Sequence, residues 1–340
     1  MFLKPSKKKI ISYLASPEKD PELFSAADSV RKKNFGGGIH VRGIIEFSNY
    51  CGRNCLYCGI RAGNKKIKRY RMSDGEILSS ARRARRAGIM TVVLQSGEDL
   101  SFSTSRLCGV IKEIKNETGV AVTLSVGEKT YREYRELKNA GADRYLLRFE
   151  TSDKNLFRAM KPSSSYARRF ECLAELRRAG FQVGSGILVG LPGQSAESIA
   201  GDIMLFRDLK LDMIGVGPFI PHPDTPLGGF SPGSIEQVLR VVALSRLTSP
   251  RAHIPATTAM GSIDPLGRQK ALMCGANVIM PNIGPARYRK YYSLYPGKIC
   301  VNDGPSACGI CVDGIIASLG RERAAGFGHS IMGARYGKNA

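Results

Sequence analysis

The chain has 340 residues, with 51 Lys and Arg against 29 Asp and Glu, a formal charge of +22, nine Cys, no Trp and 43% apolar residues. That length and apolar content allow a large core, as one barrel of about 250 residues with extensions or as two smaller domains, and they exclude a disordered chain. No stretch reaches the roughly 18 apolar residues of a spanning helix, and the start Met1-Phe2-Leu3-Lys4-Pro5 lacks the apolar core of a secretory signal, so a cytoplasmic protein is expected.

Residues 16–33 read as a helix within a lead-in over 1–36, with Ser16 as N-cap and Pro17 in the first turn, where its missing N–H costs nothing. Eight short apolar, β-branched runs follow, at 40–47, 91–96, 120–126, 144–150, 183–189, 213–219, 254–259 and 278–282. Helical patterns lie between them, such as 74–87 behind the capping pair Ser73 and Glu76, then 195–209 after the turn Leu191-Pro192-Gly193, and 234–247. This alternation predicts an α/β protein with a parallel sheet, and a doubly wound open sheet would show it too. The count of eight, and the lack of a Gly-x-Gly-x-x-Gly turn after the first run, favour a TIM-type (β/α)8 barrel over 37–284. Residues 285–340 form a C-terminal extension, whose Gly- and Arg-rich part from Arg321 is expected to pack loosely.

Barrel chemistry sits at the C-terminal ends of strands, and the first run ends in cysteines. Cys51, Cys55 and Cys58 form Cys-x3-Cys-x2-Cys, separated by Gly52, Arg53 and Asn54 in a polar loop that fits poorly with three inert buried thiols. Three thiolates so spaced can converge on one iron–sulfur cluster, and a four-iron cluster held by three leaves one iron open to a small-molecule chelator. A closed zinc site needs a fourth ligand, while the nearest His, His40, lies at the far end of the strand. Disulfides belong to exported chains.

This loop after the first barrel strand resembles the radical S-adenosylmethionine superfamily, and Tyr57 before the last Cys fits its pattern. The resemblance implies a [4Fe-4S] cluster on Cys51, Cys55 and Cys58 whose open iron is chelated by S-adenosylmethionine, cleaved on reduction to methionine and a 5′-deoxyadenosyl radical. It also implies cofactor contacts at Ser96, Gly97 and Glu98, where Ser departs from the superfamily's Gly-Gly-Glu, and at Gly186, Leu188 and Gly190, where backbone lies against adenine. A tightly packed stave is the other reading of those glycines.

Longer runs, among them 44–49, 94–99, 217–227, 254–261 and 295–300, resemble the HydE-type [FeFe]-hydrogenase maturases, in the group that holds biotin synthase and methylornithine synthase. That resemblance implies that Glu150 and Arg169 contact the cofactor, with mutual pairing of the two as the plain alternative. It implies that Gln95, Thr123, Arg148, Thr257 and Thr258 line the interior around a small anionic substrate, with Tyr292 and Tyr295 at its mouth. An Arg inside a barrel is costly unless it meets negative charge, which singles out Arg148. Phe149 stands where the resemblance implies a His. Implied as substrate is an iron species with carbon monoxide, cyanide and cysteine ligands. The implied partners are a scaffold GTPase, a tyrosine-cleaving radical enzyme and an electron donor such as flavodoxin or ferredoxin. The same resemblance reads Cys300, Cys308 and Cys311, spaced Cys-x7-Cys-x2-Cys, as ligands of an auxiliary [2Fe-2S] or [4Fe-4S] cluster.

Cys108, Cys172 and Cys274 lie on apolar helical segments as buried small hydrophobes, and His222 reads as a loop hydrogen-bonder. Basic residues are scattered over several helices, which suits solvated faces and disfavours nucleic acid. The expected activity is therefore radical chemistry in hydrogenase maturation. The rivals are a methylornithine- or biotin-synthase-like reaction on an organic amino acid or thiazolidine, and a non-catalytic iron–sulfur scaffold or electron carrier.

Overall fold

The computed structural model describes residues 5–302 and 305–332, the side chains of residues 305–308 excepted. The lead-in is two helices, α1 (Lys7–Ala15) and α2 (Asp20–Phe35). The expected helix at Ser16 is instead a 3-10 turn over Pro17–Lys19 that feeds α2. Helix α1 was hidden by its run of lysines, although Ile10 and Leu14, one turn apart, are both buried. Next come β1 (Gly38–Val41), β2 (Gly43–Ser48), α3 (Asp74–Arg86), β3 (Thr91–Ser96), α4 (Thr104–Thr118), β4 (Ala121–Ser125), α5 (Tyr131–Asn139) and β5 (Arg144–Leu146). They are followed by α6 (Lys154–Met160), α7 (Tyr166–Arg178), β6 (Gln182–Val189), α8 (Ala196–Asp208), β7 (Met213–Pro218), α9 (Ile235–Thr248) and β8 (Pro255–Ala256). The chain ends with α10 (Thr258–Ile263), α11 (Gly267–Met273), β9 (Val278–Ile279), α12 (Ala286–Arg289), α13 (Pro305–Ser318) and β10 (Glu322–Arg323).

Hydroxyl caps start most of the outer helices. At α3, Ser73 and Glu76 form the full capping box that their spacing predicts, and Thr130 and Glu133 do the same at α5. The apolar stripe of α3, formed by Ile77, Leu78, Ala81 and Ala84, is buried against the sheet. Strands β2 to β7 run parallel in sequential order, while β10, β1, β9 and β8 form a second parallel sheet. Parallel bridges from Met213 to His253 and from Ile44 to Asn282 join the two sheets, so that all eight predicted runs stand around one ring. This is the expected (β/α)8 architecture, with β1 and β2 as two parts of the first stave.

Residues 321–332 of the segment from Arg321 do not pack loosely, and the rest of it lies outside the described residues. They pass under the N-terminal end of the barrel, where β10 pairs with β1. The Phe327 carbonyl accepts from Arg144 at 2.7 Å and from the Thr91 hydroxyl at 2.7 Å, and the Gly328 carbonyl accepts from Arg42 at 3.0 Å. Ser330 donates to Asp212 at 2.6 Å. The physical reason lies in the floor itself: Arg42 and Arg144 are buried, and their guanidinium donors need more acceptors than the strand side chains around them supply.

Three of the four histidines meet this floor. His253 receives a hydrogen bond from Asn277 at Nδ1 and donates from Nε2 to the His329 carbonyl, which fits a neutral ring. Burial, followed by the charges of Arg42 and Arg144, lowers His40 to about 4, and burial with Arg144 lowers His329 to about 4. Both values lie below the ordinary 6.5, so the unfolded chain takes up protons first and stability is lost as pH falls from about 6.5 towards 4. The thermal midpoint is expected to drop over that window and to hold above it. His329→Asn, which keeps an acceptor for Arg144, gives a shallower slope in the same melts.

Candidate active site

Between β2 and α3 the chain carries its three cysteines on a segment without helix or strand until Arg71, so its backbone polar groups must find partners elsewhere. Arg69 supplies most of them. Its Nη1 donates to the carbonyls of Asn49 at 2.5 Å and Ile60 at 2.8 Å, and its Nη2 to those of Arg61 at 2.7 Å and Asn64 at 3.1 Å. One guanidinium therefore closes both ends of the cysteine loop. The Asn49 side chain adds bonds to the carbonyls of Lys68 and Tyr291.

Two further edges fix the loop to the barrel mouth. The N–H of Leu56 donates to the Met160 carbonyl at 2.9 Å, and that of Asn54 to the Ser163 hydroxyl at 2.7 Å, which docks the loop on the turn after α6. At the end of β3, the Gly52 N–H donates to the Glu98 carbonyl at 2.9 Å. A Cβ on Gly97 would lie 2.3 Å from the Tyr50 carbonyl oxygen and 2.7 Å from Cys51 Cβ, so only glycine lets the loop approach this closely.

Cys51, Cys55 and Cys58 then line one wall of a cavity of about 340 Å³ at the C-terminal ends of the strands. Burial, with the neighbouring thiols adding, pushes Cys58 up, and burial pushes Cys51 up as well. Such thiols are held protonated until a metal's positive charge offsets the cost. Three cysteine thiols on one cavity wall are a donor set that suits a four-iron cluster, whose ligands each bind a different iron.

The cavity is lined by opposite charges set in pairs. Arg53 meets Glu98 at 2.6 Å and Glu128 at 2.7 Å, while Arg169 meets Glu128 at 2.8 Å and Glu98 at 3.5 Å. Arg148 pairs with Glu150 at 3.0 Å and donates to the Ile187 carbonyl. Lys298 pairs with Glu46 at 2.5 Å, and Asn282 donates to the same carboxylate. Glu150 holds a positive φ of 69°, an uncommon conformation for a residue with a side chain, and it turns the chain out of the barrel directly beside the pocket.

Residues 45–206 match the sequence profile of the Radical SAM superfamily. Over 300 residues, 88% of this chain and 86% of the relative, the sequence is 50% identical to the [FeFe] hydrogenase maturase subunit HydE of Thermotoga maritima. The chain belongs to the HydE family of radical SAM enzymes. The 3-methylornithine synthase of Methanosarcina acetivorans is 30% identical over 78% of this chain and 75% of its own. The crystal structure of methylornithine synthase (PylB) superposes with a TM-score of 0.84 at 26% identity, covering 95% of both chains.

Within this HydE-family site, Gln95, Ser96, Gly97, Glu98, Arg148, Glu150, Arg169, Leu188, Thr257, Thr258, Tyr292 and Tyr295 all line the cavity. Tyr292 is buried. Glu150 and Arg169 do not pair with each other, because Arg148 takes the first and Glu98 and Glu128 the second. Thr123 does not line the cavity: its hydroxyl faces Arg144 at 3.5 Å, on the side of the floor. Nor do Gly186 and Gly190, since a Cβ on Gly186 would lie 2.0 Å from the Gly215 carbonyl oxygen and one on Gly190 would lie 2.3 Å from Gly233 Cα. Their close approach is to neighbouring backbone. Phe149 packs in the core against Phe170 and Phe206.

Cys300 lines a small adjoining cavity with Glu46, Lys298 and Arg268, and Arg268 reaches Cys311 Sγ at 3.6 Å. Cys308 lies on α13, and its side chain is outside the described residues. Cys172 and Cys274 are buried as expected, while Cys108 is half-buried. His222 bonds the Asp224 N–H and Ser293.

Sequence reasoning missed Arg53, Arg69, Glu46, Glu128, Lys161 and Lys298. Glu128 could have been found two residues beyond the third run, at a strand's C-terminal exit, and Glu46 from the inward period of two along β2. Arg69→Met leaves four loop carbonyls without their donor and is expected to destabilise the loop by about 2–4 kcal/mol. Iron bound after reconstitution then falls well below wild type while far-ultraviolet circular dichroism stays unchanged.

Proposed function

We propose that this protein matures the active-site cluster of an [FeFe]-hydrogenase, acting on a small anionic iron complex with carbon monoxide, cyanide and cysteine ligands. The observation that carries the reading is the 50% identity to HydE of Thermotoga maritima over most of both chains. It is supported by a cavity that holds the three-cysteine loop at one side and Arg148, Thr257 and Thr258 in the same space.

Cys51, Cys55 and Cys58 would hold a [4Fe-4S] cluster, and that group would supply the one-electron reduction that splits S-adenosylmethionine into methionine and a 5′-deoxyadenosyl radical. Glu98 and Glu150 offer acceptors for the ligand's ammonium, and Arg169, braced by Glu128, offers it a cation. Ser96, Gly97 and Leu188 shape the wall around it. Deeper in the cavity, Gln95, Arg148, Thr257 and Thr258 would hold the anionic substrate, Arg148 by exchanging Glu150 for it. Tyr292, Tyr295 and Lys298, on the segment after the barrel, close the space and limit water, Lys298 through its pair with Glu46 on β2.

Cys300, Cys308 and Cys311 are read as the site of an auxiliary [2Fe-2S] or [4Fe-4S] cluster. The other maturases and a flavodoxin- or ferredoxin-type donor are read as its partners, in the cytoplasm. No helix among the described residues is long and apolar enough to cross a membrane.

Anaerobic reconstitution, reduction and addition of S-adenosylmethionine should yield 5′-deoxyadenosine, with more formed when a synthetic iron–cyanide–carbonyl–cysteine complex is present than with ornithine or lysine. Cys55→Ala should abolish the product, and Cys311→Ala should retain it. Stimulation by the amino acids alone would move the assignment to the methylornithine-synthase type.

A further inference from the structure

Two basic runs of the sequence, 65–71 and 287–290, contribute nothing to the cavity lining, and the fold brings them together beside the cysteine loop. The ammonium groups of Lys68 and Lys290 both lie against the Tyr291 ring, 5.3 and 5.2 Å from its centre. Lys65, Lys68 and Lys290 are exposed, and among the described residues no carboxylate pairs with any of them. The carboxylates that border this face are already taken. Lys66 holds Asp224 at 2.8 Å, Arg71 holds Asp99 at 2.6 Å, and Arg287 holds Glu76. Three cations are thus left uncompensated on one face.

The same face carries exposed apolar groups on both sides of Cys51. Residues 48–50 run beside 70–71, through an antiparallel bridge from Ser48 to Arg71 and a bond from the Asn49 N–H to the Tyr70 carbonyl at 3.3 Å. The Asn49 side chain ties this ribbon to the carbonyls of Lys68 and Tyr291, at 2.8 and 2.7 Å. Tyr50, directly before Cys51, is 36% exposed, with the Arg71 guanidinium 3.6 Å from its ring centre. Leu100 is 87% exposed and stands by Gly52, directly after Cys51, where a Cβ would lie 3.9 Å from Leu100 Cδ1. Neither side chain lines the cavity. A single exposed leucine is ordinary, but one that shares a face with an exposed tyrosine and three unpaired lysines has the make-up of an encounter surface.

We propose that this face docks an acidic, flavin-bearing one-electron carrier protein, with the apolar flavin edge against Tyr50 and Leu100 and acidic side chains against Lys65, Lys68 and Lys290. The inference rests on the proposed cluster and cofactor. S-adenosylmethionine would fill the cavity side of the cysteine loop, so an electron from a protein donor must enter by the side that faces solvent. In that step one electron leaves the reduced flavin and enters the cluster, the flavin being oxidised and the cluster reduced by one charge each, and no covalent bond forms or breaks. Electron-transfer encounters of this kind use small interfaces steered by opposite charge, which a compact basic face with an apolar centre supplies.

The test uses the anaerobically reconstituted protein and a purified flavodoxin, with dithionite as a small reductant that needs no docking. Affinity for oxidised flavodoxin is read by flavin fluorescence anisotropy, and cluster reduction by stopped-flow absorbance. The triple variant Lys65→Glu, Lys68→Glu, Lys290→Glu is expected to bind flavodoxin, and to be reduced by it, about tenfold or more weakly at low salt. Leu100→Ser slows the same reduction at low and high salt alike. Dithionite reduces the cluster in both variants, and supports 5′-deoxyadenosine formation, as in the wild type. Added salt lowers wild-type affinity for flavodoxin steeply and that of the triple variant little. A control with the same change of charge, Arg85→Glu, Arg86→Glu, Lys112→Glu, lies on α3 and α4, where α3 ends at the floor by Arg323, and keeps wild-type affinity. Equal loss in that control, unchanged flavodoxin binding in the first triple variant, or a wild type that dithionite reduces and flavodoxin does not, would overturn the inference alone. Loss of dithionite reduction in the first triple variant would overturn it in favour of a role in holding the cluster. Failure of dithionite to reduce any cluster in the wild type would overturn the cluster reading, and this inference with it.

Discussion

Four carbonyls on one guanidinium set the geometry of the barrel mouth. Arg69 gathers the backbone before Cys51 and after Cys58, and a loop with no regular structure thereby becomes a fixed rim. Irregular backbone at a pocket edge must be satisfied by side chains or lose definition, and an Arg with its planar set of donors does this more economically than several shorter residues. The dock on Met160 and Ser163 and the glycine contact at Gly97 act on a loop already closed by Arg69. Together they bring the sulfurs, the Arg53–Glu98–Arg169–Glu128 network and Lys161 to one side of the same cavity.

The same device recurs through the molecule and gives the excess of basic residues a structural meaning. Arg246 is fully buried and donates to the carbonyls of Gly275, Pro250 and Ala252 and to Asn277, and its pKa is lowered to about 9 by burial. Arg144 binds the tail under the barrel, and Arg289 donates to the carbonyls of Gly284 and Cys300. Some of the net charge of +22 is therefore arginine used against backbone oxygen, a use that needs no anionic partner. The mouth differs from the floor in that Arg53, Arg148, Arg169 and Lys298 there meet carboxylates, an arrangement that can be exchanged when a charged ligand enters.

Much of this was legible in the sequence. Strand runs, helix caps and the Cys-x3-Cys-x2-Cys loop are local patterns, set by side-chain period and by hydroxyl capping, and they reappear at the predicted residues. Pairing across the fold is not local. Glu150 and Arg169 could have met each other, and only the barrel's closure shows Arg148 and Glu128 in between. The tail from Arg321 reads as loose because it is rich in Gly and Arg, yet its carbonyls are what Arg42 and Arg144 require. Thr123 follows the inward period of its strand, but it sits one layer too low to reach the cavity. For Gly186, the missing side chain reads as close approach of the cofactor or as a tightly packed stave, and the group that stands against it is the backbone of β7.

The central claim is that the cysteine loop presents a cluster with one open iron to a ligand bound in this cavity. Electron paramagnetic resonance of the reduced, reconstituted protein tests it most directly, with S-adenosylmethionine carrying 15N in its amino group. The account predicts a changed cluster signal and a hyperfine coupling to the labelled nitrogen, both absent in Cys55→Ala. An intact reduced cluster whose spectrum is indifferent to the ligand, with no nitrogen coupling, would contradict it.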